Sequence, residues 1–261
     1  MSDRGALPVP PAVPRSQAAW AFSWYITRLA RRTFHEVLWR SATDWRAWPP
    51  RPTLVVANHT NWWDGFLSHQ VGRAMGRHFR ILMERRNLER YRAFLQIGAL
   101  PMERRSRTQA MRDLAVATAC LAPESFVWIY PQGQRRPAAE PLEHLEHGAA
   151  WMLARHAGPI RVVPVAFRYP FTTEQLPMAA ILVGTPWEYA AGEAAALGRP
   201  ALTATIAERL TATVAALDAD IAVERFEGYD TLIAGKSSIN VRMDRVRHRL
   251  GLIDEYDERN G

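Results

Sequence analysis

Lysine and cysteine are nearly missing from this chain: Lys236 and Cys120 each occur once among 261 residues. A lone cysteine excludes an intramolecular disulfide. Its apolar surroundings, Ala117-Thr118-Ala119-Cys120-Leu121, mark it as a packed thiol in a helix. There is no internal repeat, so a solenoid or propeller is set aside. No apolar run approaches the roughly 18 to 20 residues that span a bilayer. The proline-rich start, Met1 to Pro14, lacks the apolar stretch of a signal peptide and reads as a disordered tail over residues 1–15. A glycine-rich phosphate loop is also wanting. The nearest approach, Asp230-Thr231-Leu232-Ile233-Ala234-Gly235-Lys236-Ser237, has an aspartate where the first glycine belongs and no clear strand before it. Glu143-His144-Leu145-Glu146-His147 fits neither common helical zinc spacing and reads as a charged helix start, so no metal is expected.

What remains is apolar, tryptophan-rich and basic. The apolar content of 48% and ten tryptophans suffice for a substantial core, and no linker divides the chain near its middle. The net charge of +7 is carried almost wholly by arginine, the side chain that grips phosphate bidentately. Anionic lipid, nucleic acid and a phosphate-bearing cofactor are the partners this charge admits, but no nucleic-acid-binding motif accompanies it. Five of the tryptophans, Trp20, Trp24, Trp39, Trp45 and Trp48, fall within residues 16–48. On a helical wheel Phe22, Ile26, Leu29 and Val37 share one face there, with Arg28, Arg31, Arg32 and His35 on another. This pattern predicts an amphipathic helical segment at a membrane interface, where indoles and snorkelling guanidinium groups meet headgroups.

From Thr53 onward strands and helices alternate. Strands are expected at 53–57, 79–83, 99–102, 125–130, 160–167 and 180–183, and helices near 63–76, 87–97, 107–121, 144–157 and 201–218. The alternation predicts an α/β fold, a mixed and largely parallel sheet flanked by helices, as a catalytic domain over 49–230 with a helical tail over 231–261. Ligands of such sheets gather at the C-terminal ends of the strands. Three polar clusters lie at such ends. Leu54-Val55-Val56-Ala57 leads into Asn58-His59-Thr60-Asn61-Trp62-Trp63-Asp64. A helix starting at about Thr60 would bring Asp64 back beneath the His59 ring, where a carboxylate fixes the imidazole tautomer and leaves the other nitrogen free to take a proton. Gly98-Ala99-Leu100-Pro101-Met102-Glu103-Arg104-Arg105 and Ile129-Tyr130-Pro131-Gln132-Gly133-Gln134-Arg135-Arg136 each set arginines at a strand end, the second with a glycine that permits close backbone approach to a ligand.

These blocks resemble the glycerolipid acyltransferase superfamily, typified by bacterial 1-acylglycerol-3-phosphate acyltransferases. Asn58, His59 and Asp64 match the Asn-His-four residues-Asp block, and Gly98 through Arg104 match the second block. Pro131-Gln132-Gly133-Gln134-Arg135 stands where that family usually has Pro-Glu-Gly-Thr-Arg, and Val162-Val163-Pro164-Val165 matches the fourth. The resemblance covers about residues 53 to 170. It implies a peripheral enzyme on the cytoplasmic face of the membrane, without bound cofactor or metal, that moves an acyl chain from acyl-CoA or acyl carrier protein to a lysophospholipid hydroxyl. His59 would be the general base and Asp64 its orienting acid. Asn58, Arg104, Gln132, Gly133 and Arg135 would contact the substrate, with the two arginines on an acceptor phosphate. Arg73, Arg77, Arg80, Arg85 and Arg86 would meet the donor's phosphates or an acidic carrier. Gln132 and Gln134 depart from the family's glutamate and threonine, which leaves three acceptor readings open: a lysophospholipid, a glycosylated lipid or carotenoid glycoside, or none at all in a non-catalytic membrane-binding module.

Overall fold

The computed structural model describes residues 16–172, 174–236 and 247. Helix α1 (Ser16–Thr33) leads into strand β1 (Glu36–Ser41), and β2 (Thr53–Ala57) is followed by α2 (Asp64–Ala74). Then come β3 (His78–Glu84), α3 (Arg85–Arg90), a 3-10 segment (Arg92–Ile97), β4 (Ala99–Met102), α4 (Arg107–Ala119) and β5 (Ser125–Ile129). The remainder is α5 (Gly148–Arg155), β6 (Ile160–Arg168), β7 (Met178–Val183), β8 (Trp187–Tyr189), α6 (Glu193–Leu197), α7 (Arg199–Ala222) and β9 (Asp230–Ala234). The strands form one mixed sheet in the order β4-β3-β5-β2-β6-β7-β1-β9, with β8 beside β6. The run from β4 to β6 is wholly parallel, and antiparallel pairing enters only at β7, β8 and β9.

The core follows the two-residue period of the strands. In β2, Val55 and Ala57 pack toward Ile26 and Ala30 of α1 and Leu67 and Val71 of α2. Leu54 and Val56 point the other way, toward Leu114 of α4, Met152 of α5 and Leu202 of α7. Both faces of the sheet are therefore covered by helix, and the parallel strands read as continuous apolar runs. That arrangement brings the C-terminal ends of β2, β4, β5 and β6 to one rim.

Two boundaries differ from the sequence reading. Residues 36–41 are a strand, not the continuation of an amphipathic helix. Val37 pairs with Ala179 of β7 and Ile233 of β9 and is fully buried. Trp39 is buried with it, and Trp48 donates to Thr43 Oγ1, so the exposed tryptophans of this segment are Trp20 and Trp24 of α1. The helical tail expected from residue 231 begins instead with β9, which pairs antiparallel with β1 in the same sheet. Gly235 ends that strand, and a Cβ there would stand 2.0 Å from the Phe34 carbonyl oxygen, so the glycine of the loop-like run serves backbone packing. The expected disordered tail and most of residues 237–261 lie outside the described residues.

Candidate active site

Strand β2 delivers Asn58 and His59 to the rim, and the chain then turns over a single carboxylate. Helix α2 begins at Asp64 itself, not at Thr60; residues 60–63 form a turn because Asp64 Oδ2 accepts from the backbone N–H groups of Thr60 (2.7 Å) and Asn61 (2.8 Å). The same oxygen lies 2.8 Å from Nδ1 of His59. Oδ1 accepts from the phenol of Tyr169 at 2.6 Å. The carboxylate is fully buried at the first turn of α2, where the helix dipole favours negative charge. An ionised carboxylate only accepts, so His59 Nδ1 carries the proton and Nε2 presents its lone pair.

The backbone of His59 is held from the opposite strand end. Gln132 Oε1 accepts from His59 N at 2.6 Å, and the His59 carbonyl accepts from Arg136 N at 2.8 Å. Asn58 bonds Phe167 of β6 twice, its Oδ1 accepting from Phe167 N and its Nδ2 donating to Phe167 O. Asn58 and Gln132 are both buried in these contacts and are not among the side chains that line the cleft. Gly133, at φ 69°, holds the left-handed conformation that this tight loop requires, and a Cβ would meet Glu146 Cγ at 3.0 Å. The ring of Tyr130 stacks on His59 with centroids 4.3 Å apart, and its hydroxyl pairs with Ser68 Oγ at 2.9 Å. Burial, and then the charge of Asp64, hold the phenols of Tyr130 and Tyr169 well above the ordinary tyrosine range. Neither was singled out from the sequence. Tyr169 directly follows β6 on the same rim, and that position was its only signal.

His59 opens onto a cleft of about 1260 Å³. Its lining combines apolar Phe22, Phe66, Phe79, Ile81 and Phe94 with Arg104, Arg105, Arg107 and Arg135. Glu103 accepts from the backbone N–H groups of Arg104 and Arg105, bonds that hold its carboxyl below the usual range. Among the described residues none of these four arginine side chains is ion-paired. The other expected arginine run is dispersed. Arg80 is buried within β3, Arg85 is bonded to Asp113, and Arg77 lies over the Phe126 ring. A shallower basic groove of about 470 Å³ continues from the cleft between α4 and α5, with Arg107, Arg112 and Arg155 around Met111, Ala115 and Trp151.

An imidazole bonded to a buried carboxylate thus faces a cleft lined by both apolar and basic side chains at the carboxyl ends of parallel strands. The model of the acyltransferase family matches residues 42–168. Over these residues the chain is similar to that family. The resemblance to the glycerolipid acyltransferases therefore stands. In three dimensions the chain is similar to the 1-acyl-sn-glycerophosphate (LPA) acyltransferase PlsC from Thermotoga maritima, with a TM-score of 0.54 and 17% identity over 77% of this chain and 80% of that chain. That likeness is one of fold, a mixed and mostly parallel sheet flanked by helices. No curated protein matches the sequence. The family match ends at Arg168, so Tyr169, whose phenol is bonded to Asp64, lies one residue beyond it.

Proposed function

We propose that the protein transfers a fatty acyl chain from a thioester donor to a hydroxyl of a phosphate-bearing lysolipid. The observation that carries this reading is the buried, fully donated Asp64 beneath an imidazole whose Nε2 faces the cleft. A hydroxyl is a weak nucleophile until its proton is removed during attack. His59 Nε2 takes that proton as the acceptor oxygen bonds to the thioester carbonyl carbon. The tetrahedral intermediate then expels the thiolate, which recovers the proton from His59. Asp64 stabilises the imidazolium in between. The apolar side of the cleft takes the acyl chain, and Arg104 and Arg135 hold the acceptor phosphate. The groove with Arg107, Arg112 and Arg155 is better disposed to the donor's phosphates than the dispersed run from Arg73 to Arg86.

Helix α1 supports delivery from a lipid surface. Trp20 (63% exposed), Trp24 (58%) and Tyr25 project from it, Arg28 lies 6.0 Å from the Trp24 ring, and Phe22 on its other face lines the cleft. No helix among the described residues is long and apolar enough to cross a membrane. The departure at Gln132 does not favour a non-catalytic module: the site asks that side chain for an oxygen to accept from His59 N, and glutamine supplies one. The test offers purified protein palmitoyl-CoA or palmitoyl carrier protein with lysophosphatidic acid, other lysophospholipids or a glycolipid, in liposomes. Phosphate-bearing acceptors should be acylated. Acylation confined to the glycolipid would overturn the acceptor assignment, and liposome binding without thiol release from any pairing would leave the fold as a binding module.

A further inference from the structure

Tyr169 reaches Asp64 across 105 positions of sequence, and its neighbours leave the phenol little freedom. Two residues earlier, Phe167 is bonded through both its N–H and its C=O to Asn58, which locks the end of β6 to the end of β2. The ring of Tyr169 stacks on Phe34 at 5.8 Å and 26°, and Phe34 in turn packs edge-on against Trp63, the residue before Asp64. The phenol proton thus has a fixed direction, toward the carboxylate oxygen that does not meet His59. We propose that Tyr169 is a positioning residue for the dyad: by occupying Oδ1 of Asp64 it sets the plane of the carboxylate, keeps Oδ2 on His59 Nδ1, and limits how much negative charge the imidazolium feels. Asn58 and Tyr169 together tie the end of β6 to the segment that runs from β2 into α2, one through backbone and one through the acid itself. The catalytic consequence rests on acyl transfer at His59; the electrostatic one does not.

The test compares wild type with Tyr169→Phe, which keeps the ring on Phe34 and deletes only the donor. A second protein carries 3-fluorotyrosine at 169, whose more acidic phenol donates more strongly without removing the bond. Two readouts are taken: the titration midpoint of His59, by NMR of ¹⁵N-labelled imidazole, and the pH profile of acyl transfer. Losing the hydrogen bond concentrates charge on Oδ2, so in Tyr169→Phe the midpoint and the acid limb of the profile should both move to higher pH. The fluorinated protein should move them to lower pH. On the order of tenfold should be lost from kcat in Tyr169→Phe, the scale of one hydrogen bond to a charged group, with KM for donor and acceptor nearly unchanged. An unmoved midpoint in both proteins, with folding verified by thermal melting, would overturn the proposal. Opposite shifts of the midpoint in a protein that transfers no acyl group would instead overturn the acyl-transfer reading and leave the role of Tyr169 on the dyad intact.

Discussion

The two sides of the polar cleft treat charge in opposite ways. Around Asp64 every oxygen is occupied, by His59, Thr60, Asn61 and Tyr169, and the group is sealed from water. In the cleft, Arg104, Arg105, Arg107 and Arg135 are exposed and lack carboxylate partners among the described residues. The difference is physical economy of two kinds. A general base works through geometry that must be set before substrate arrives, because reorganisation during reaction raises the barrier. A phosphate grip works by long-range attraction followed by bidentate closure, and solvated, mobile guanidinium groups suit both stages. His69 of α2 shows the contrast in a second histidine. Ten residues beyond His59, it is buried between Phe22 and Phe79 with Nδ1 unpartnered, and burial lowers its pKa to about 4. Among the described residues it has no carboxylate partner, and it packs against both rings.

The sharpest way to break the comparison is at the closed side. His59→Ala should lower kcat by about 10² to 10⁴, the usual range for a positioned base. Asp64→Asn should cost a similar factor by favouring the wrong tautomer, and steady-state kinetics on folded variants checks both. Next in size is the effect of acid on stability. With its folded pKa near 4 against an ordinary 6.5, His69 is protonated more readily in the unfolded chain. Its contribution to stability is therefore complete above about pH 6.5 and lost as pH falls toward 4, to an extent of about 3 kcal/mol. Urea denaturation across that window should show the slope, and His69→Leu should flatten it. On the open side, Arg135→Ala should raise the acceptor KM about tenfold with little change in kcat, as expected for a contact made equally in ground and transition states. Smallest of all, raising salt from about 50 to 500 mM should increase the acceptor KM a few-fold and leave kcat alone, because screening reaches exposed arginines but not a buried pair. A kcat that falls in step with salt would erase the distinction between the two sides.

Much of this was legible along the chain. Strands at 53–57 and 99–102 fell where expected because each is a short apolar run between turn residues. The His59–Asp64 pair was visible from spacing alone, although the agent is a turn wrapped on the carboxylate and not a helical turn. Strand β1 was hidden because Val37-Leu38-Trp39 carries no clear two-residue period, and its partners lie some 140 to 200 positions away, at 178–183 and 230–234. Tyr169 was hidden for the same reason: nothing local announces a partner 105 residues earlier. Asn58 and Gln132 were found as residues but their backbone bonds were not, since residue type reveals that a side chain can bond and not that it bonds backbone.

The most direct test of the central claim is acceptor-dependent thiol release from palmitoyl-CoA by wild type and His59→Ala, each shown by thermal melting to be folded. The account predicts release in the wild type that rises with lysophosphatidic acid and nearly vanishes in the variant. Equal release by both proteins would remove His59 as the base and the proposed mechanism with it.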